Sequence, residues 1–247
     1  MACQTLTMTL TYWAQALGSL ARNVRSSPGF GRDLAVAGLR HDLEPKAPSA
    51  FILDAYPEAE GVSVNMGEVA YRRSNLDPME QYVLAVLAKI RRPQRVFEIG
   101  TYDGASTLLL ARNAPQAEIL TLDLPPDLAT AATVANEVQN ATDGVGFRFQ
   151  GQAEAARMTQ LLGDSRVFDF SPWYGTVDLV LVDAGHEYDC AKPDTDNALR
   201  LLAPGGIVVW DDYQVGWPGV VRAVDECGRA VIHVTATGFG VYDSAAV

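Results

Sequence analysis

From Asp77 onward, short apolar runs alternate with segments of helical periodicity, and this alternation restricts the fold more than any other feature. Residues 95–99, 118–123, 177–183 and 206–211 are short runs built around Val, Ile, Leu and Phe, as expected of strands covered on both faces. A further strand is expected at 145–149. Helices are expected at 104–113, near 127–140, near 153–162, at 194–202 and at 218–229. Asp77-Pro78-Met79-Glu80 supplies an N-cap and a proline at the first position of a helix reaching Lys89 or Ile90. Repeated β-α units imply a doubly wound, mostly parallel sheet of about seven strands. Residues 230–242 read as two strands around a glycine-bearing turn, a C-terminal antiparallel hairpin closing that sheet.

The first 76 residues have a different texture. Pro28, Gly29, Gly31, Pro45, Pro48 and Pro57 interrupt them, so an N-terminal helical cap (1–76) is expected ahead of the main domain (77–247), with helices over 12–24 and from Pro48. Residues 5–21 carry no charge but contain Thr, Gln and Ser and lack a basic leader, which fits neither a signal peptide nor a membrane span. That apolar stretch offers a homodimer contact. A net charge of −11 argues against nucleic acid as a partner. Cys3, Cys190 and Cys227 are scattered, without a C-x-x-C pair, which suggests reduced thiols, a cytoplasmic setting and no zinc site.

The chemistry-bearing residues stand where the apolar runs end. Ligands of open α/β sheets bind beyond the carboxyl ends of the strands. The first run ends in Glu98-x-Gly100-x-x-x-Gly104, a glycine loop entering a helix whose free N–H groups suit an anion. Its spacing is not the dinucleotide G-x-G-x-x-G, which disfavours a dehydrogenase; a tight strand-to-helix turn is the plain alternative. Asp123 stands where an acid accepts ribose hydroxyls, or else caps the segment entered at Pro125. Asp183, Asp211 and Asp212 should meet in the same crevice. Unit charges ~4 Å apart repel by roughly 4 kcal/mol at an effective dielectric of 20, so these acids need a proton, a basic partner or a cation. His186 follows Asp183 and is suited to take a proton near neutral pH; ordering the loop is its alternative role. Tyr188, Tyr213 and Trp217 are either pocket walls or packing residues. Cys190 reads as packing, Asp194 as a helix N-cap, and His41 and His233 as unremarkable.

Taken together, Glu98-Ile-Gly-Thr-Tyr-Asp-Gly-Ala-Ser106, Asp123, Val182-Asp-Ala-Gly-His-Glu-Tyr188 and Leu202-Ala-Pro-Gly-Gly-Ile-Val-Val-Trp-Asp-Asp-Tyr213 resemble the class I S-adenosylmethionine-dependent methyltransferases. Within these the chain is most similar to the metal-dependent small-molecule O-methyltransferases of the catechol type and of the natural-product sugar type. The likeness covers about residues 77–247 and implies a Rossmann-like fold. It implies that Glu98, Gly100, Thr101, Gly104 and Ser106 line the methionine end of S-adenosyl-L-methionine. Asp123 with Leu124 would meet the ribose, Gly151 and Gln152 the adenine, and Asp183 the cofactor side of the reaction centre. Asp183, Asp211 and Asp212 would bind a divalent cation, Mg2+ by their oxygen chemistry. His186 and Asp183 would be catalytic, with His186 where the catechol type has a lysine base. Asp211-Asp212 departs from the Asp-Asn of many catechol enzymes and looks more like the sugar group. The implied activity is methylation of a hydroxyl on a small molecule, with no membrane or nucleic-acid partner. A metal-independent methyltransferase and a non-catalytic cofactor-binding protein are the alternatives.

Overall fold

The computed structural model describes residues 28–40, 43–67, 75–125 and 144–246. The expected helices at 12–24 and 127–140 lie wholly or mostly outside them, as do Cys3 and His41. In chain order the elements are α1 (Pro28–Arg40), β1 (Ser49–Ala50), α2 (Ile52–Ala55), α3 (Pro78–Arg91), β2 (Arg95–Ile99), α4 (Ala105–Asn113), β3 (Glu118–Asp123), β4 (Met158–Leu162), β5 (Val177–Val182), α5 (Tyr188–Leu201), β6 (Leu202–Trp210), α6 (Pro218–Asp225), β7 (Val231–Val234) and β8 (Gly240–Asp243).

The eight strands form one sheet in the order β1-β7-β8-β6-β5-β2-β3-β4. The run from β6 to β4 is parallel, and β8 is antiparallel to both β6 and β7. The doubly wound sheet and its closing hairpin thus form as expected, with one more strand. That strand is β1, which pairs in parallel with β7, Ser49 opposite His233, so part of the first 76 residues joins the sheet.

Alternation along the strands builds a core on each face. Val96, Leu179, Leu181, Ile207 and Val209 pack under α3 and α4 with Leu84, Leu87 and Leu110. Their neighbours Phe97, Val180, Val182, Val208 and Trp210 pack under α5 and α6 with Ala198, Leu201, Val221 and Val224. Helix α3 starts on the expected cap: Asp77 accepts from the N–H groups of Met79 at 2.7 Å and Glu80 at 2.9 Å, and Glu80 accepts from Asp77 N–H at 2.8 Å. Among the described residues no helix is long and apolar enough to cross a membrane.

Three expected elements are corrected. Residues 147–149 form a short 3-10 turn, not a strand, because Gly144 and Gly146 take φ of +85° and +72° and the Phe149 ring occupies the space beside Gly146. Residues 153–162 are a 3-10 turn followed by β4, not a helix; pairing with β3 overrides the helix-forming Ala, Glu, Arg and Met of this stretch. Helix α5 begins at Tyr188 and carries Pro193 and Asp194 inside it, so Asp194 is buried and does not cap.

Candidate active site

Strand register explains why sequence-distant acids meet. Ile99 lies opposite both Leu122 and Val182, and Val182 lies opposite Trp210. The next residue on each strand therefore stands in one row: Asp123, Gly100, Asp183 and Asp211. The ladder runs on through this row, with Gly100 N–H donating to Leu122 O at 2.8 Å, Asp183 N–H to Ile99 O at 2.8 Å, and Asp211 N–H to Val182 O at 2.9 Å. At Gly100, with φ +107°, an added Cβ would lie 1.7 Å from the Asp183 carbonyl oxygen, so only glycine lets β2 and β5 close here. A cleft with about 330 Å³ of empty space opens above the glycine loop, lined by Asn75, Gln81, Tyr102, Ser106 and Asp183 among others. A second, of about 280 Å³, lies beside it between Asp183, His186, Asp211 and Asp212, so Asp183 faces both.

On the loop side Glu98 is fully buried. Its Oε2 accepts from the hydroxyls of Thr107 and, at 2.5 Å, Thr121. Thr121 has one proton to give, so Thr101, 2.6 Å away, donates to Thr121. Oε1 of Glu98 is buried with no hydrogen-bond partner. Burial pushes its carboxyl up to about 7, against the pull of the Ser106, Thr107 and Thr121 hydroxyls. Asp123 accepts from Tyr102 N–H at 2.6 Å and Leu124 N–H at 2.7 Å. Tyr102, at φ +49°, is the strained residue of the turn. It is held from behind, because Gly146 N–H and Arg148 N–H donate to the Tyr102 and Asp103 carbonyls and Arg148 Nε donates to Asp103 at 2.6 Å.

On the acid side, burial and then Asp212 push Asp183 up to about 8, while His186 pulls it down. Asp211 is raised well above the carboxylate range by burial and then by Asp212 and Asp183, and its Oδ1 is buried without a partner. Asp212 sits at φ +57° and turns its two oxygens to Gln214 Nε2 at 3.1 Å and His186 Nε2 at 2.8 Å. The His186 ring stacks on Trp217, with centroids 4.0 Å apart. Among the described residues no group of three His, Cys, Asp or Glu side chains stands ready to hold a metal ion.

A row of strand-end acids beside a glycine loop is a binding crevice, and comparison with known proteins says of what kind. Residues 97–213 match the family model of the methyltransferase domain. They form a methyltransferase domain. The chain is similar to a catechol O-methyltransferase of Mycobacterium tuberculosis, 33% identical over 160 residues covering 64% of each protein. It is also similar to a catechol O-methyltransferase of Niastella koreensis, 26% identical over 60% of this chain and 62% of that one. The chain thus spans less than two thirds of the length of these relatives. A candidate caffeoyl-CoA O-methyltransferase of Staphylococcus aureus superimposes with a TM-score of 0.50 at 12% identity, over 86% of this chain and 98% of that one, a likeness of fold.

Within the methyltransferase domain the structure relocates several residues. Gly151 and Gln152 are exposed and precede the third parallel strand; the residues that follow its end are Gly163 and Asp164. Sequence reasoning passed over Asp164 because it put the strand too early. Tyr213 is buried and packs, accepting from Ala47 N–H at 3.1 Å and donating to Asp225 at 2.5 Å. Tyr188 donates to Glu226 at 2.6 Å beneath the Arg222 guanidinium, which leaves Trp217 as the aromatic beside the acids. Cys190 is half-buried, its thiol pushed up to about 11 by burial. His233 links β1 to the hairpin through Ser49 Oγ at 3.2 Å and the Thr237 carbonyl at 3.0 Å. Glu80 was legible only as a cap. Its second oxygen accepts from Gly238 N–H at 2.8 Å, where the hairpin turn meets the Asp212 loop.

Proposed function

We propose that this chain transfers the methyl group of S-adenosylmethionine to a hydroxyl of a small molecule bearing neighbouring oxygens, a catechol or a sugar diol. The observation that carries the reading is the single row Asp123, Gly100, Asp183 and Asp211, with the His186–Asp212 pair beside it. The donor supplies an activated methyl on a cationic sulfur. This chain's residues fit it: Glu98 offers a buried, unpartnered oxygen, Asp123 is fixed by two N–H groups, and Ala105 and Ser106 at the start of α4 line the cleft, where helix N–H groups suit an anionic group. Asp164 is assigned to the adenine end in place of Gln152. Alignment of acceptor and donor supplies up to ~7–11 kcal/mol of the barrier reduction in such reactions.

His186 takes the acceptor's proton. Its Nε2 faces the Asp212 carboxylate, so the neutral ring donates there and presents Nδ1 as the base. Trp217 covers one ring face and fixes its plane. Asp183, Asp211 and Asp212 would hold a divalent cation, whose charge would offset their repulsion and lower the acceptor's pKa. The buried, unpartnered Oδ1 of Asp211 and the all-oxygen donor set fit such an ion; the bond between Asp212 and His186 favours the metal-independent alternative. The test is methyl transfer to catechol and to a vicinal sugar diol, with Mg2+ and with chelator. Turnover lost in chelator and in His186→Gln supports the full reading; undiminished turnover in chelator removes the cation from it.

A further inference from the structure

The helix α1 lies outside the matched domain, yet it grips the reaction centre from behind. Phe30 and Asp33 are one helical turn apart and share a face. Phe30 is buried and meets Trp217 edge-on at 5.9 Å, on the residue that stacks against His186. Asp33 is buried too, and its Oδ2 accepts from Tyr188 N–H at 2.8 Å. Tyr188 is the first residue of α5, and Glu187, the residue in the N-cap position, makes no side-chain cap bond. Asp33 thus caps α5 from another helix, two residues after His186. The same oxygen reaches the start of α6. A Cβ on Gly219 would lie 2.8 Å from Asp33 Oδ2 and 2.5 Å from both His186 O and Tyr188 N, so glycine permits this three-way junction. Gly29 closes on the Glu187 side chain, and Arg32 pairs with Asp189 at 3.0 Å.

We infer that Asp33, with Phe30, is a positioning residue for methyl transfer, tying the loops that carry His186 and Trp217 to one turn of α1 and so holding the base over the acceptor. This rests on the methyltransferase reading above and adds a role for the N-terminal segment. Glu98, Asp123 and the glycine loop lie on the other side of Asp183 from this junction, so the donor site should be indifferent to it.

The experiment compares the full-length wild type with Asp33→Asn, Asp33→Leu and Phe30→Leu. Calorimetry with S-adenosylhomocysteine reads the donor site. Hydrogen exchange of residues 184–190 reads the histidine loop, and initial rates with catechol split kcat from KM. Asparagine keeps an oxygen for Tyr188 N–H; leucine does not. Expected are exchange in 184–190 faster by about tenfold in Asp33→Leu, a smaller rise in Phe30→Leu, near-normal exchange in Asp33→Asn, and unchanged S-adenosylhomocysteine affinity throughout. Catechol turnover should fall in Asp33→Leu through kcat and not through the KM for donor, and a wild-type kcat in Asp33→Leu overturns the positioning role. Wild-type exchange in Asp33→Leu, or an Asp33→Asn variant as defective as Asp33→Leu, overturns the inference. Should Asp33→Leu not fold, wild-type exchange in Phe30→Leu overturns it equally. Failure of the wild type to bind S-adenosylhomocysteine would instead overturn the methyltransferase reading.

Discussion

Replacing Glu98 by glutamine should make the ligand-free protein more stable at pH 8 while weakening its hold on the donor. Glu98 is fully buried and its carboxyl is raised from 4.5 to about 7, burial being the largest cause. Its Oε2 receives two hydroxyl protons and its Oε1 none. A glutamine carbonyl oxygen can take over both hydroxyl bonds, and its amide would stand where Oε1 now has no partner. For an acid raised on folding, the native state keeps its proton between 4.5 and about 7 while the unfolded chain does not. Stability from this group is therefore present below pH 4.5, falls as pH rises to about 7, and is flat above. At about 1.4 kcal/mol per pH unit the loss is about 3 kcal/mol. Urea denaturation of wild type and Glu98→Gln at pH 5 and pH 8 measures it. The variant should gain roughly 1–3 kcal/mol at pH 8 and show a flatter pH dependence. Its S-adenosylhomocysteine affinity should fall by about tenfold or more, the scale of one hydrogen bond to a charged group. A variant less stable than wild type at pH 8, or one binding as tightly, refutes the account of Glu98.

Gly100→Ala should unfold the domain or cost about 4 kcal/mol or more, because φ is +107° and the new Cβ would meet the Asp183 carbonyl at 1.7 Å; a thermal midpoint close to wild type would contradict it. Arg148→Met should cost about 3–5 kcal/mol by stripping the buried Asp103 of its cation, and adding Asp103→Asn should recover much of that. A urea double-mutant cycle with no coupling between the two would exclude the pair as the clamp behind Tyr102.

The sheet's centre was legible because burial on both faces leaves an apolar run with no competing interpretation. Residues 95–99, 118–123 and 206–210 could hardly be anything else, and each end acid followed from them. The edge was not legible. Met158–Leu162 is largely solvent-facing, so its residues need not be apolar, and only its hydrogen bonds to β3 make it a strand. That error put Gly151 and Gln152 after the strand, where Gly163 and Asp164 stand. Asp194 misled in a similar way: it reads as a helix N-cap, yet α5 begins at Tyr188 and holds it inside. Glu80 and Asp33 act through partners 158 and 155 residues away, Gly238 and Tyr188, and no local pattern announces such contacts. His186 and Asp212 were each singled out, but their bond to one another depends on Asp212 adopting a left-handed backbone that no residue type there demands.

The strand-end row is expected to place the donor at its Asp123 end, beside Glu98 and the glycine loop. Calorimetric titration of S-adenosylhomocysteine into the wild type and Asp123→Ala tests it most directly. One site per chain in the wild type, with affinity lost by about tenfold or more in Asp123→Ala, is the predicted result. Absence of binding to the wild type, or equal binding by both proteins, would contradict it.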